Sequence, residues 1–143
     1  MRHLLLATAL VAVTTASDCF ASTAMAIAPQ SGRDPGESAR SAVALTARVA
    51  SRNALKPIQS TDQEDEQWLA CFAGEGLLVC EKLRGDEIQM RIIQGGPIHF
   101  TPWAEHVVRE LTDSLTATFG STSVRPCQWR IAHSPGGSGC ASS

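Results

Sequence analysis

Four residues carry the ingredients of proton transfer: His99, Glu105, His106 and His133. Histidine titrates near neutrality, and a carboxylate beside it tunes or orients it. Glu105 and His106 are neighbours in sequence, so on a helix they point about 100° apart and do not face each other. His99 and His106 fall either side of a predicted helix start, and that rim is the candidate acid–base site. The chain contains no H-E-x-x-H, no G-x-S-x-G, no phosphate-binding glycine loop and no dinucleotide fingerprint. The pattern weighs against an enzyme and implies no cofactor and no metal.

Cysteine is the other reactive residue type. Cys71, Cys80, Cys127 and Cys140 form an even set, which in an exported chain reads as two disulfides. Their spacing with His99, His106 or His133 matches no zinc pattern, and the absence of C-x-x-C argues against a redox pair. Arg84-Gly85-Asp86 spells an adhesion tripeptide, but Gly-Asp is also what a tight hairpin turn needs. Arg48, Arg52 and Lys56 recur at four-residue spacing and would line one helix face. This basic stripe is a weak candidate contact for an acidic partner or an anionic lipid, against the plainer reading of a solvated face.

The first residues set the compartment. Arg2 precedes an apolar run from Leu4 to Val13, and small residues follow to Ala24-Met25-Ala26. That order reads as a secretory signal peptide over 1–26, with the mature chain beginning at Ile27 or a few residues earlier. Ala16 and Ala21 are the other cleavage candidates. The apolar run is too short for a span of about 20 helical residues. Asp18 before Cys19 argues against a lipoprotein. The expected location is therefore secreted or periplasmic.

Removing 26 of the 143 residues leaves one ordinary domain. The loss of Arg2 and Asp18 leaves the formal net charge at −2. Nucleic-acid binding is not expected, because phosphate neutralisation needs clustered excess Lys and Arg. No transmembrane segment is expected in the mature chain, and the expected partner is another protein outside the cytosol.

Certain elements must position these residues. Residues 27–37 read as a flexible lead-in. A helix follows over 38–56, with Ser38 as cap and Pro57 as stop, and with Ala39, Val43, Ala47, Ala50 and Ala54 as a weakly apolar face. An acidic stretch, 60–66, reads as a loop. Glu75-Gly76 then lies between two strand-like runs, and a two-residue turn there pairs Gly74 with Leu77. Counting outward puts Cys71 opposite Cys80 on a non-hydrogen-bonded pair, where Cα atoms lie about 4.5 Å apart. Cys127 and Cys140 then pair by elimination, with a cross-pairing such as Cys71–Cys127 as the rival.

Gly85-Asp86 makes a second turn, pairing Leu83 with Ile88, Glu81 with Met90 and Val79 with Ile92. The two registers agree on one apolar face: Trp68, Ala70, Phe72, Leu77, Val79, Leu83, Ile88, Met90 and Ile92. Glu81 is its misfit, explained by a fraying edge, a buried partner or a wrong register. Thr101, Pro102 and Gly120 bound a helix with Trp103, Val107, Leu111, Leu115 and Phe119 as its core stripe. A last strand falls near Val124 to Ala132, with Pro126 restricting it to an edge. Residues 134–143 form a Gly/Ser-rich tail.

The fold expected is one small α+β domain over 38–133, in the order α-β-β-β-α-β. An antiparallel meander packs on one well-formed helix, and the N-terminal helix is peripheral. The function expected is an exported, disulfide-stabilised binding or inhibitory module. The alternatives are a small extracytoplasmic enzyme using the His99/His106 rim and a structural accessory of an envelope assembly.

Overall fold

The computed structural model describes residues 20–59, 68–131 and 138–141. Its order is β1 (Phe20–Ile27), α1 (Pro35–Arg52), β2 (Lys56–Ile58), β3 (Ala70–Gly74), β4 (Leu77–Arg84), β5 (Glu87–Gly95), α2 (Pro102–Phe119), β6 (Val124–Cys127), β7 (Trp129–Arg130) and β8 (Gly139–Cys140). Six strands form one antiparallel sheet in the order β2-β3-β4-β5-β1-β6, and β7 and β8 pair as a separate ribbon. The protein is a mixed α+β domain.

The central meander follows its two turns. Glu75 and Gly76 both have positive φ, 48° and 79°, the geometry of a primed two-residue turn whose twist matches its strands. Gly74 pairs with Leu77, Phe72 with Val79 and Cys71 with Cys80. Beyond Gly85-Asp86, Leu83 pairs with Ile88, Glu81 with Met90 and Val79 with Ile92.

Four features differ from the sequence reading. First, residues 20–27 form a strand, where the sequence reading places 20–26 in the leader. β1 pairs with β5 along its whole length and with β6 from Ala24 to Ile27. Its inward residues Met25 and Ile27 are core. The rest of the segment read as a leader, with Arg2, the Leu4–Val13 run, Ala16 and Cys19, lies outside the described residues.

Second, α1 starts at Pro35, inside the stretch read as a lead-in. The Asp34 side chain accepts from Glu37 N at 3.2 Å and Pro35 takes the first turn. It ends at Arg52, so Lys56 lies on β2 instead. Third, α1 is not peripheral. It buries Ser38, Ala39, Ala42, Leu45, Thr46, Val49 and Ala50. The buried stripe is rotated from the alanine face expected. It runs through Leu45 and Val49, and its small residues let the helix lie close to the sheet.

Fourth, Trp68 leaves the apolar face. β3 begins at Ala70, so strand alternation does not extend back to Trp68.

α2 follows its signals. The Thr101 side chain accepts from Ala104 N, Pro102 opens the first turn and Gly120 caps the end. Gln94 of β5 fixes this start: its Nε2 donates to Thr101 Oγ1 at 3.0 Å and its Oε1 accepts from Thr101 N at 2.9 Å. Both helices join one core with the inner sheet residues Phe72, Leu77, Val79, Ile88, Met90 and Ile92. Arg52 and Asn53 from the end of α1 meet Glu110 of α2 at 2.7 and 3.0 Å. Together these contacts hold Glu110 below the usual carboxylate range, chiefly through the Asn53 and Arg52 hydrogen bonds.

Candidate functional site

With both helices on one side, the opposite side of the sheet defines the outer face. Register fixes its membership, because side chains alternate along each strand. One row crosses the sheet as Ile58, Cys71, Cys80, Arg91, Ala24 and Cys127. A second carries Ala73, Leu78, Ile93 and Ser22, and a third carries Lys82, Gln89, Ala26 and Arg125.

Two disulfides staple this face. Cys71 and Cys80 bridge adjacent strands with Cα atoms 4.2 Å apart. Cys127 of β6 bridges Cys140 of β8, Cα atoms 5.4 Å apart, and brings the end of the chain back over β1. Cys140 packs on Ala24 and Ala26, with Trp129 and Cys127 beside it. The tail reading of 134–143 therefore divides: 138–141 are docked, while 134–137 and 142–143 lie outside the described residues.

Polar contacts complete the docking. Cys140 N donates to Gln89 Oε1 at 3.1 Å, and Gln89 Nε2 donates to Glu87 Oε1 at 2.9 Å. Glu87 also takes an ion pair from Arg125 at 3.1 Å. Ala141 N donates to Gln128 O at 2.8 Å. Gly139 lies close to the Arg84 and Gln89 side chains, which a Cβ there would have to displace.

Under the tail lies an aromatic and cationic cluster. Trp68 stacks on Trp129 with ring centroids 5.6 Å apart. Lys82, only 6 % exposed, places Nζ 5.4 Å from the Trp68 ring and 5.0 Å from the Trp129 ring. It also donates to the Ser138 carbonyl. Arg91 lies 5.5 Å from the Trp129 ring. Cations held over indole faces in partly desolvated surroundings contribute on the order of 0.5–2 kcal/mol each. Sequence reading missed this cluster. The chain has three tryptophans, but only the sheet register and the Cys127–Cys140 bridge bring Trp129 to Trp68.

The other half of the outer face has a different character. Leu78 and Ile93 sit opposite each other and are partly exposed. Phe20 at the start of β1 is 48 % exposed and Ile58 on the edge strand is 45 % exposed. Apolar side chains on β1, β2, β4 and β5 thus share one side of the sheet.

The remaining sequence candidates do not converge. His99 lies in the exposed turn before α2, and His106 is exposed on α2, 3.7 Å from Glu110. No hydrogen bond or ion pair joins the two histidines among the described residues. His133 and the acidic stretch 60–66 lie outside those residues. Arg48 and Arg52 are exposed on α1, but Arg52 is engaged by Glu110 at 2.7 Å and Lys56 belongs to another element. Arg84, Gly85 and Asp86 form the end of β4 and its turn.

Among the described residues Glu81 is the one buried acid, and it has an inward address. It is 0 % exposed, faces the core beside Met90, and accepts from the Thr46 hydroxyl of α1. Its Oε2 has no hydrogen-bond partner among the described residues. Burial pushes its pKa up to about 7, against the lowering by Thr46. The misfit in the apolar face is therefore a buried acid with a partner.

Comparison with protein-family models, with curated proteins and with solved structures finds no match to this chain. Among the described residues no cluster of His, Cys, Asp or Glu suits a metal ion. No helix there is long and apolar enough to cross a membrane. Two disulfides are the chemistry of an oxidising compartment.

Proposed function

We propose that the protein is an exported binding or inhibitory module that engages another protein through the open half of its outer sheet face. The observation that supports this reading is the distribution of cover. Both helices pack on the inner face, the tail and its disulfide cover the outer face at Ala24, Ala26 and Gln89, and Phe20, Leu78, Ile93 and Ile58 present apolar surface elsewhere on it. Exposed apolar side chains on one face of a small stapled scaffold are a recognition feature. The two disulfides keep that surface rigid, which lowers the ordering cost of binding.

The test compares variants exported from the native host. Leu78→Glu puts a charge at the centre of the face and should abolish co-purification of the partner. His106→Gln alters the rival rim and should leave co-purification unchanged. Loss with His106→Gln and retention with Leu78→Glu would overturn the reading and favour the enzyme alternative.

A further inference from the structure

The pattern that most resembles a cleavage site, Ala24-Met25-Ala26, lies inside β1. β1 is an internal strand: β5 flanks it on one side and β6 on the other. Cleavage after Ala26 would remove seven of its eight residues, Phe20 to Ala26. β6 would lose its sole neighbour in the sheet, and β5 would lose a partner along eight residue pairs. Met25 would leave the core opposite Met90. Ala24 and Ala26 would leave the patch on which Cys140 rests.

The small residues have a packing reason of their own. Ala24 and Ala26 point to the outer face beneath the Cys127–Cys140 bridge, and both are essentially fully buried. A larger side chain at either position would push the tail off the sheet. The A-x-A spacing is the period-2 alternation of a strand whose outer side must be flat. It therefore needs no peptidase to explain it. Cleavage after Ala21 is a poor alternative, since Ala21 is itself buried opposite Gln94, the residue that clamps the start of α2.

We infer that the export leader is removed by hydrolysis of the Ala16–Ser17 peptide bond. Water supplies the atoms, leaving a carboxylate on Ala16 and a new amino terminus on Ser17. This inference rests on the export reading above. Thr14 and Ala16 supply the small uncharged residues required at the third and first positions before the bond. The bond lies three residues past Val13, so the polar end of the leader becomes short and the apolar run directly precedes it. The whole of β1 is kept. The mature chain also keeps Cys19, a fifth cysteine outside the two bridges.

N-terminal sequencing of the exported wild-type chain should read Ser17-Asp18-Cys19. In pulse-labelled cells, Ala16→Phe should slow conversion of precursor to mature form at least tenfold, because a bulky residue before the bond is not accepted. A mature start at Ser22 or Ile27, or unchanged processing of Ala16→Phe, overturns the inference and leaves export standing. A wild-type chain that retains Met1 overturns the export reading and this inference with it.

Discussion

The Thr46 hydroxyl of α1 donates a hydrogen bond to the carboxyl group of Glu81 on β4, deep between helix and sheet. This polar contact sits in a mostly apolar layer. It explains why a charged residue type interrupts the inward face of a central strand. A buried acid with one hydrogen bond is stabilised as its neutral form, because ionisation would place a charge where water cannot reach it.

A pH dependence follows, and its sign is fixed. The acid has a pKa near 4.5 when exposed and about 7 in the fold. Between these values the folded state holds a proton that the unfolded state has released, so stability falls as pH rises and levels off above about 7. The fall attributable to Glu81 is about 3 kcal/mol, at about 1.4 kcal/mol per pH unit. Glu81→Gln keeps the shape and still accepts from Thr46, but it cannot ionise. Urea unfolding from pH 4.5 to 8 should show the variant gaining on the wild type by that amount. Parallel curves would mean that Glu81 is already ionised and satisfied in the fold.

Met25 and Met90 face each other across β1 and β5. Both are core residues, so Met25→Ala should cost about 2–5 kcal/mol, as should Met90→Ala. The pair should couple by roughly 0.5–3 kcal/mol in a double-mutant cycle because the side chains share one space. A Met25→Ala effect within about 0.5 kcal/mol, the range of surface substitutions, would place β1 outside the sheet.

The tail latch should behave as one unit. Replacing Cys127 and Cys140 by serine opens a loop with a sequence separation of 13, worth about 3 kcal/mol by chain entropy. Trp129→Ala removes the stack on Trp68 and the Lys82 and Arg91 contacts to the Trp129 ring. Each change alone should release the tail, so the combined loss should fall short of the sum. Near-ultraviolet circular dichroism of the stacked indoles should collapse in both variants. Full additivity would show that bridge and stack act independently.

Replacing Cys71 and Cys80 by serine should be milder. Their strands are already zipped by the Glu75-Gly76 turn, and the separation is 9. Chain entropy gives somewhat under 3 kcal/mol, and the melting midpoint should drop without loss of the fold. Collapse of the fold in this variant would mean that the bridge, not the turn, sets the register.

The meander and α2 were legible because local chemistry determines them. Glu75-Gly76 and Gly85-Asp86 set registers that every flanking side chain then repeats, and Thr101, Pro102 and Gly120 mark helix ends. β1 was hidden because Ala24-Met25-Ala26 satisfies two patterns at once, a strand packed under a disulfide and a cleavage motif. α1 was underrated because its buried stripe mixes small residues with Thr46, whose burial depends on Glu81 from a distant strand. The Trp68–Trp129 stack was invisible because the two residues meet only when the tail crosses the sheet. The histidines attracted attention by type alone, and tertiary structure gives them no shared site.

The most direct test of the account places a photo-activated cross-linker at Leu78 on the outer face and, in a second chain, at Arg109, exposed on the solvent side of α2. Each is exported in the native host and irradiated in its own compartment. The account predicts one discrete protein adduct from Leu78 and none from Arg109. Adducts from Arg109 alone, or equal adducts from both positions, would contradict recognition through the outer face of the sheet.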